Sequence, residues 1–309
     1  MALFNLLPRL LVVLFALVSV IFAARTPNEL VADQPRLIKY HNGSLLSGKI
    51  NIKLIWYGKF KPSQKAIITD FITSISSSPS SPQPSVATWW KTTQKYYHLV
   101  KKHAPSLSYN LKEQKVDSYC SLGKSLTQDN IVDLASRSND RNTITIILTA
   151  ADVTVADFCF NRCGTHGYTK KNAKYNSAYI WVGNSETQCP GHCAWPFHKP
   201  IYGPQGPPLV APNNDVGLDG MVINLASLLA ETVTNPYGNG FYEGSAGAPL
   251  EAASTCTGIF AKGAYSGYPG NLLVDSKSKA SYNAYGANGR EYLLPALFDP
   301  STSACSTLS

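Results

Sequence analysis

GKINIKLIWYG, residues 48–58, carries Ile50, Ile52, Leu54 and Trp56 at every second position, the period of a strand with one apolar face. Directly after it the period changes. In PSQKAIITDFITSI (62–75), Ile67, Ile68, Phe71, Ile72 and Ile75 fall on one side of a helix, for which Ser63 is the predicted N-cap. A strand feeding an amphipathic helix opens an α/β layer structure, and the rest of the chain keeps alternating. SVATWWKTTQKYYHLV (85–100) predicts a second helix, reached through the serine- and proline-rich link SSSPSSPQPS (76–85). LTQDNIVDLASRS (126–138) predicts a short helix capped by Thr127, and REYLLPALF (290–298) a last one. NTITIILTA (142–150) and SAYIWVGN (177–184) are β-branched and apolar, hence buried strands. The expected fold is a mixed-sheet, layered α/β single domain over 49–309 with disulfide-bearing loops, preceded by an irregular, loosely docked arm over 25–48.

Composition points outside the cell. Residues 1–24, MALFNLLPRLLVVLFALVSVIFAA, have a charged start at Arg9, an apolar core from Leu10 to Phe22 and a small-residue end at Ala23 and Ala24, the pattern of a cleaved signal peptide. Charged residues make up 15% of the 309-residue chain, beside 17 Tyr and 5 Trp, a weakly charged, aromatic surface that suits secretion. No stable membrane insertion is expected once the signal is cleaved. The net charge of +8 is diffuse; with no basic block or zinc-finger spacing, nucleic acid is excluded as a partner, while acidic polymers are admitted. Asn42, in HNGS, is a glycosylation sequon.

Seven cysteines are present. CFNRC and CPGHC hold Cys159, Cys163, Cys189 and Cys193 in loops, which in an oxidising compartment read as disulfide partners. With Cys256 and Cys305 they make six, whose connectivity spacing alone leaves open; Cys120 is the one left over. Three histidines, His166, His192 and His198, fall within the same loops, but the cysteine spacing is not that of a zinc finger. Trp195, Pro196 and Phe197 suggest a rigid aromatic turn used for packing, and no metal or cofactor is expected.

One carboxylate stands out. DGMVINLASLLAETVTNPYGNG (219–240) reads as a helix apolar almost all round, yet holds Glu231 near its end. Laid on a metalloprotease H-E-x-x-H template with its last ligand on Glu231, the first ligand falls on Ser227 and the general base on Leu228. Neither serves: leucine takes no proton and serine is a poor zinc ligand. Glu231 is therefore expected to be structural, paired with a Lys, an Arg or amides of the NPYGNG turn, with Asp219 as the helix N-cap. Glu243 and Glu251, in a later loop, are expected to be solvated.

FCFNRCGTHGY (158–168), YIWVGNSETQCPGHCAWPF (179–197), APNNDVGLDGMVINLASLLAETVTNPYGNGFYEG (211–244) and GAPLEAASTCTGIF (247–260) together resemble the EXORDIUM / phosphate-induced protein family of plants. The resemblance implies a secreted, apoplastic or wall-associated protein linked to hormone- and nutrient-responsive cell expansion. Its cysteine pattern covers 159, 163, 189, 193, 256 and 305, and leaves Cys120 as an extra. It brings no catalytic residues, so binding to a wall polysaccharide, wall protein or receptor is preferred over catalysis. The apolar helix followed by TNP and a glycine-rich loop also bears a distant resemblance to the active helix of zincin-type metallopeptidases. The alternative is thus a wall-acting hydrolase on a degenerate zincin-like scaffold, joining His166, His192 or His198 to Glu231.

Overall fold

The computed structural model describes residues 37–76, 82–101, 107–137, 142–160, 162–171, 175–203 and 206–308. The predicted signal sequence lies outside the described residues. In chain order the main elements are β1 (Lys49–Tyr57), α1 (Pro62–Ser74), α2 (Val86–Val100), β2 (Ser108–Asp117), α3 (Gln128–Ser136), β3 (Thr143–Thr149), β4 (Gly164–Lys171), β5 (Tyr175–Gly183) and α4 (Val216–Thr234). The five strands form one mixed sheet in the order β2-β1-β3-β5-β4. All neighbours run parallel except β4, which closes one edge antiparallel to β5 with His166 opposite Ile180.

This order explains the layers. The chain leaves β1 in one direction to make β2, then crosses back over β1 to make β3. Right-handed crossovers in opposite directions place their helices on opposite faces. Accordingly α1, α2 and α4 pack with Ile50, Ile52, Leu54 and Trp56 on one face. On the other, α3 packs with Ile55, Tyr57, Ile147 and Trp181 beside Cys189 and Cys193. β1 is thus buried on both sides, and its alternation separates two cores instead of core from solvent. Where the order switches, a cavity of about 390 Å³ is lined by Lys59, Lys61, Asp152 and Glu186, the place at which open α/β sheets usually take ligands.

Several local expectations are corrected. Helix α1 begins at Pro62, which fits the first helical position because it has no N–H to lose. Its N-cap is therefore Lys61, whose N–H is held by Gln64 Oε1 at 3.0 Å, and not Ser63. Thr127 does cap α3. The N-cap of α4 is Asp215, bonded to the Leu218 N–H at 3.0 Å, while Asp219 is buried one turn in and accepts from Asn213. The GTHGYTKK part of the cysteine loop is strand β4: its glycines and lysines hide a β signal that pairing with β5 restores. REYLLPALF is extended, with Glu291–Tyr292 and Leu297–Asp299 in separate ladders. Pro295 cannot donate within a helix, and its carbonyl instead accepts from Trp89 Nε1 at 2.7 Å.

The arm is docked from Leu37 onward: Lys39–Tyr40 pairs with Phe241–Tyr242, and Ile38 and Leu46 are buried. Asn42 is exposed at a turn with φ of 62°. Helix α4 is the one described helix long and apolar enough to cross a membrane, but most of it is buried in the fold. Three disulfides join Cys159 to Cys189, Cys163 to Cys193 and Cys256 to Cys305, and Cys120 is free and buried. Each short-spaced pair is therefore split between two bridges.

Candidate functional site

Glu231 lies in the last turn of α4, where the helix dipole opposes a negative charge. It is nevertheless buried, with 6% of its surface exposed. The expected lysine, arginine or turn amides are not its partners. Its Oε1 accepts the backbone N–H of Ser254 at 2.8 Å, and its other close neighbours are His166 from β4 and Glu251 from the loop beyond α4. His166 Nε2 lies 2.8 Å from Glu251 Oε2. One ligand-type atom from each of the three residues lies within 4.8 Å of the others.

Asn235 holds this arrangement together. As the C-cap of α4 it donates its N–H to the Glu231 carbonyl at 2.7 Å. Its Oδ1 accepts from the Gly240 N–H at 2.6 Å, and its Nδ2 donates to Glu251 Oε1 at 2.6 Å. One amide side chain thus closes the NPYGN turn and fixes a carboxylate. The turn needs glycine at 240, because a Cβ there would lie 2.4 Å from the Thr234 carbonyl oxygen. On the other side, β4 can approach α4 because Gly164 has no side chain: a Cβ would stand 2.7 Å from Leu228.

Burial, then the like charge of Glu251, raises the Glu231 pKa to about 7, against the opposing pull of His166 and Ser254. For His166, burial opposes the charged form. The hydrogen bond and charge of Glu251, with the charge of Glu231, outweigh it, so its pKa is raised. His166 Nδ1 is buried with no hydrogen-bond partner. Asp219 forms a separate site; burial raises its pKa to about 7 although Asn213 bonds oppose this.

Of the four residues singled out from sequence, the structure brings together His166 and Glu231. His192 is exposed beside Cys163 and Cys193, whose sulfurs are spent in a disulfide. His198 is also exposed, its Nδ1 3.0 Å from the Lys199 carbonyl. Ser227 donates to the Ile223 carbonyl at 3.1 Å and Leu228 packs against the core, so neither template position faces chemistry. Glu251 was expected in solvent but is 5% exposed. Its signal was present: LEAAS isolates one carboxylate among apolar and small residues, as α4 does.

A second feature is open to solvent. Two adjoining cavities, of about 320 and 530 Å³, share Trp195, Pro200 and Gly267. Their walls include Tyr202, Tyr265 and Tyr268; Tyr202 is 85% and Tyr265 69% exposed. The Tyr265 and Tyr268 rings are 5.0 Å apart. Phe197 is buried, as a packing turn requires, whereas Trp195 stands at the groove with one side against Phe260.

A family model described as the phosphate-induced protein 1 conserved region matches residues 38–308. Protein PHOSPHATE-INDUCED 1 of Nicotiana tabacum is 64% identical over 296 residues, covering 94% of each chain. Protein EXORDIUM of Arabidopsis thaliana is 62% identical over 306 residues, covering 96% of this chain and 98% of its own. Protein EXORDIUM-like 6 of Arabidopsis thaliana is 32% identical over 295 residues, with 84% and 89% covered. No solved structure matches the chain.

Proposed function

The chain belongs to the phosphate-induced protein 1 family, and from that premise we propose that it acts outside the cell in the plant wall, promoting cell expansion by binding a wall polysaccharide rather than by catalysis. The observation that carries the reading is the open groove of Trp195, Tyr202, Tyr265 and Tyr268. A ring with a polar tip suits a surface that must be apolar toward a ligand and wet at its rim. Fixed aromatic faces also offer contact area with little side-chain entropy to lose, which suits the C–H faces of sugar rings. The signal-like start of the sequence and the three disulfides favour an oxidising, extracellular setting. The exposed Asn42 is open to glycosylation there.

Purified protein passed over immobilised wall polysaccharides tests this. Retention is expected on at least one, and Tyr202→Ala with Tyr265→Ala should weaken it about tenfold or more, each lost stacking contact being worth on the order of 1 kcal/mol. Retention on none, or retention unchanged in the double variant, would sink the reading. If the diffuse positive charge steers the protein to acidic pectin, retention on polygalacturonate should fall steeply with salt.

A hydrolase joining a histidine to Glu231 is the second reading, favoured by the approach of His166. Against it, Glu231 and Glu251 are only 6% and 5% exposed, and the walls of the aromatic groove include none of His166, Glu231 and Glu251. A zincin-like origin of α4 belongs to this second reading.

A further inference from the structure

We propose that His166, Glu231 and Glu251 form a buried site for one divalent cation of the zinc class, which clamps the edge strand β4, the end of α4 and the following loop together. The inference does not depend on the aromatic groove.

Charge is the first argument. Two carboxylates are buried side by side, and among the described residues neither forms an ion pair with a lysine or arginine; the one basic side chain beside them is His166. Buried carboxylates without a cation are costly; one imidazole balances one of them and leaves the other to a proton or a metal ion. The second argument is an unfinished hydrogen-bond set. The imidazole meets Glu251 through Nε2, while Nδ1 is buried with no partner, so proton sharing alone leaves this ring incompletely satisfied.

Geometry is the third. Bonds to zinc of about 2.0–2.1 Å place tetrahedral ligand atoms roughly 3.3–3.5 Å apart. The present atoms, all within 4.8 Å of each other, need to close by up to about 1.5 Å to share one ion. Two anionic residues and one imidazole supply a charge-neutral set, and a bidentate carboxylate would complete four positions. Both carboxylates already have an outer-shell bond: Asn235 Nδ2 fixes one oxygen of Glu251 and the Ser254 N–H one oxygen of Glu231, as ligating carboxylates require. An imidazole among the ligands favours zinc over the hard, oxygen-seeking calcium. The other group of metal-ligating residues, Cys163, His192 and Cys193, has no such capacity, because both sulfurs are in one disulfide.

The test is equilibrium dialysis of chelator-stripped protein against micromolar zinc chloride, with metal per chain read by mass spectrometry. About one zinc per chain is expected for the three-residue set. His166→Asn or Glu251→Gln should weaken retention by more than the roughly 10–100-fold expected for Asn235→Ala, which removes an outer-shell bond and no ligand. The double variant His192→Ala, His198→Ala should retain zinc unchanged. If the ligand variants do not fold, X-ray absorption of the zinc-loaded native protein decides, with nitrogen and oxygen neighbours at about 2.0–2.1 Å and no sulfur expected. No zinc on the native chain, full retention in a folded His166→Asn variant, loss in the His192/His198 variant, or a sulfur neighbour would each overturn the proposal.

Discussion

Two triplets of metal-ligating side chains begin three residues apart in the chain, at Cys163 and at His166, and have opposite fates. In the first, oxidation consumes both thiols and leaves His192 on the surface. In the second, the groups remain ionisable and are drawn inside: a helix end, an edge strand and a loop converge on a carboxylate pair with one imidazole. The difference lies in what satisfies each group. A covalent bond closes the first triplet without regard to pH. The second depends on where its protons, or a cation, reside, so it should respond to solution conditions that leave the first untouched.

The largest expected effect comes from breaking the first. Cys163→Ser with Cys193→Ser should lower unfolding free energy by about 2–5 kcal/mol, read from denaturant midpoints at constant m. A loss below about 1 kcal/mol would mean that the sheet edge needs no covalent support.

The second triplet should reveal itself through pH. In metal-free protein the folded chain holds the Glu231 proton to about pH 7, against about 4.5 when unfolded. Its contribution is therefore full below about pH 4.5 and is lost as pH rises through 7. His166, raised from its ordinary 6.5, and Asp219, raised from 3.8 to about 7, act in the same direction. Thermal unfolding should move down from pH 5 to pH 8, with Glu231 alone accounting for on the order of 3 kcal/mol. Glu231→Gln should flatten that slope. A midpoint that rises over this range would contradict the buried-carboxyl account.

Asn235→Ala should cost about 1–3 kcal/mol, because it strands the Gly240 N–H and releases Glu251; chemical denaturation is the measure. His192→Ala should stay within about 0.5 kcal/mol of the native protein. A larger loss would give the exposed imidazole a role that its surroundings do not suggest.

Much of the frame was legible in the residues, for specific reasons. β1, β3 and β5 announce themselves because they are dense in β-branched and aromatic residues, and Trp56 and Trp181 are core as their strand positions imply. Glu231 was legible because a lone carboxylate in an apolar helix requires a partner. The partner's identity was not, since His166 is one of three similar histidines and only the β4–β5 register selects it. Glu251 escaped because a loop glutamate is ordinarily solvated, and here Asn235, sixteen residues earlier, draws it inward. Local period also misled at REYLLPALF, where one proline outweighs an otherwise helical pattern. Among the aromatics, residue type alone did not separate those buried in the sheet from those left at the groove.

The twin bridges between CFNRC and CPGHC carry a consequence for how the chain is oxidised. Both native bonds span 30 positions. Exchanging partners would give spans of 34, from Cys159 to Cys193, and 26, from Cys163 to Cys189. Loop entropy varies only with the logarithm of length, so it barely distinguishes the native pairing from its swapped isomer. Selection must come from noncovalent structure, with β4 lying against β5 and the Pro190–Cys193 turn in position. The sheet edge acts as the template on which the sulfurs are sorted.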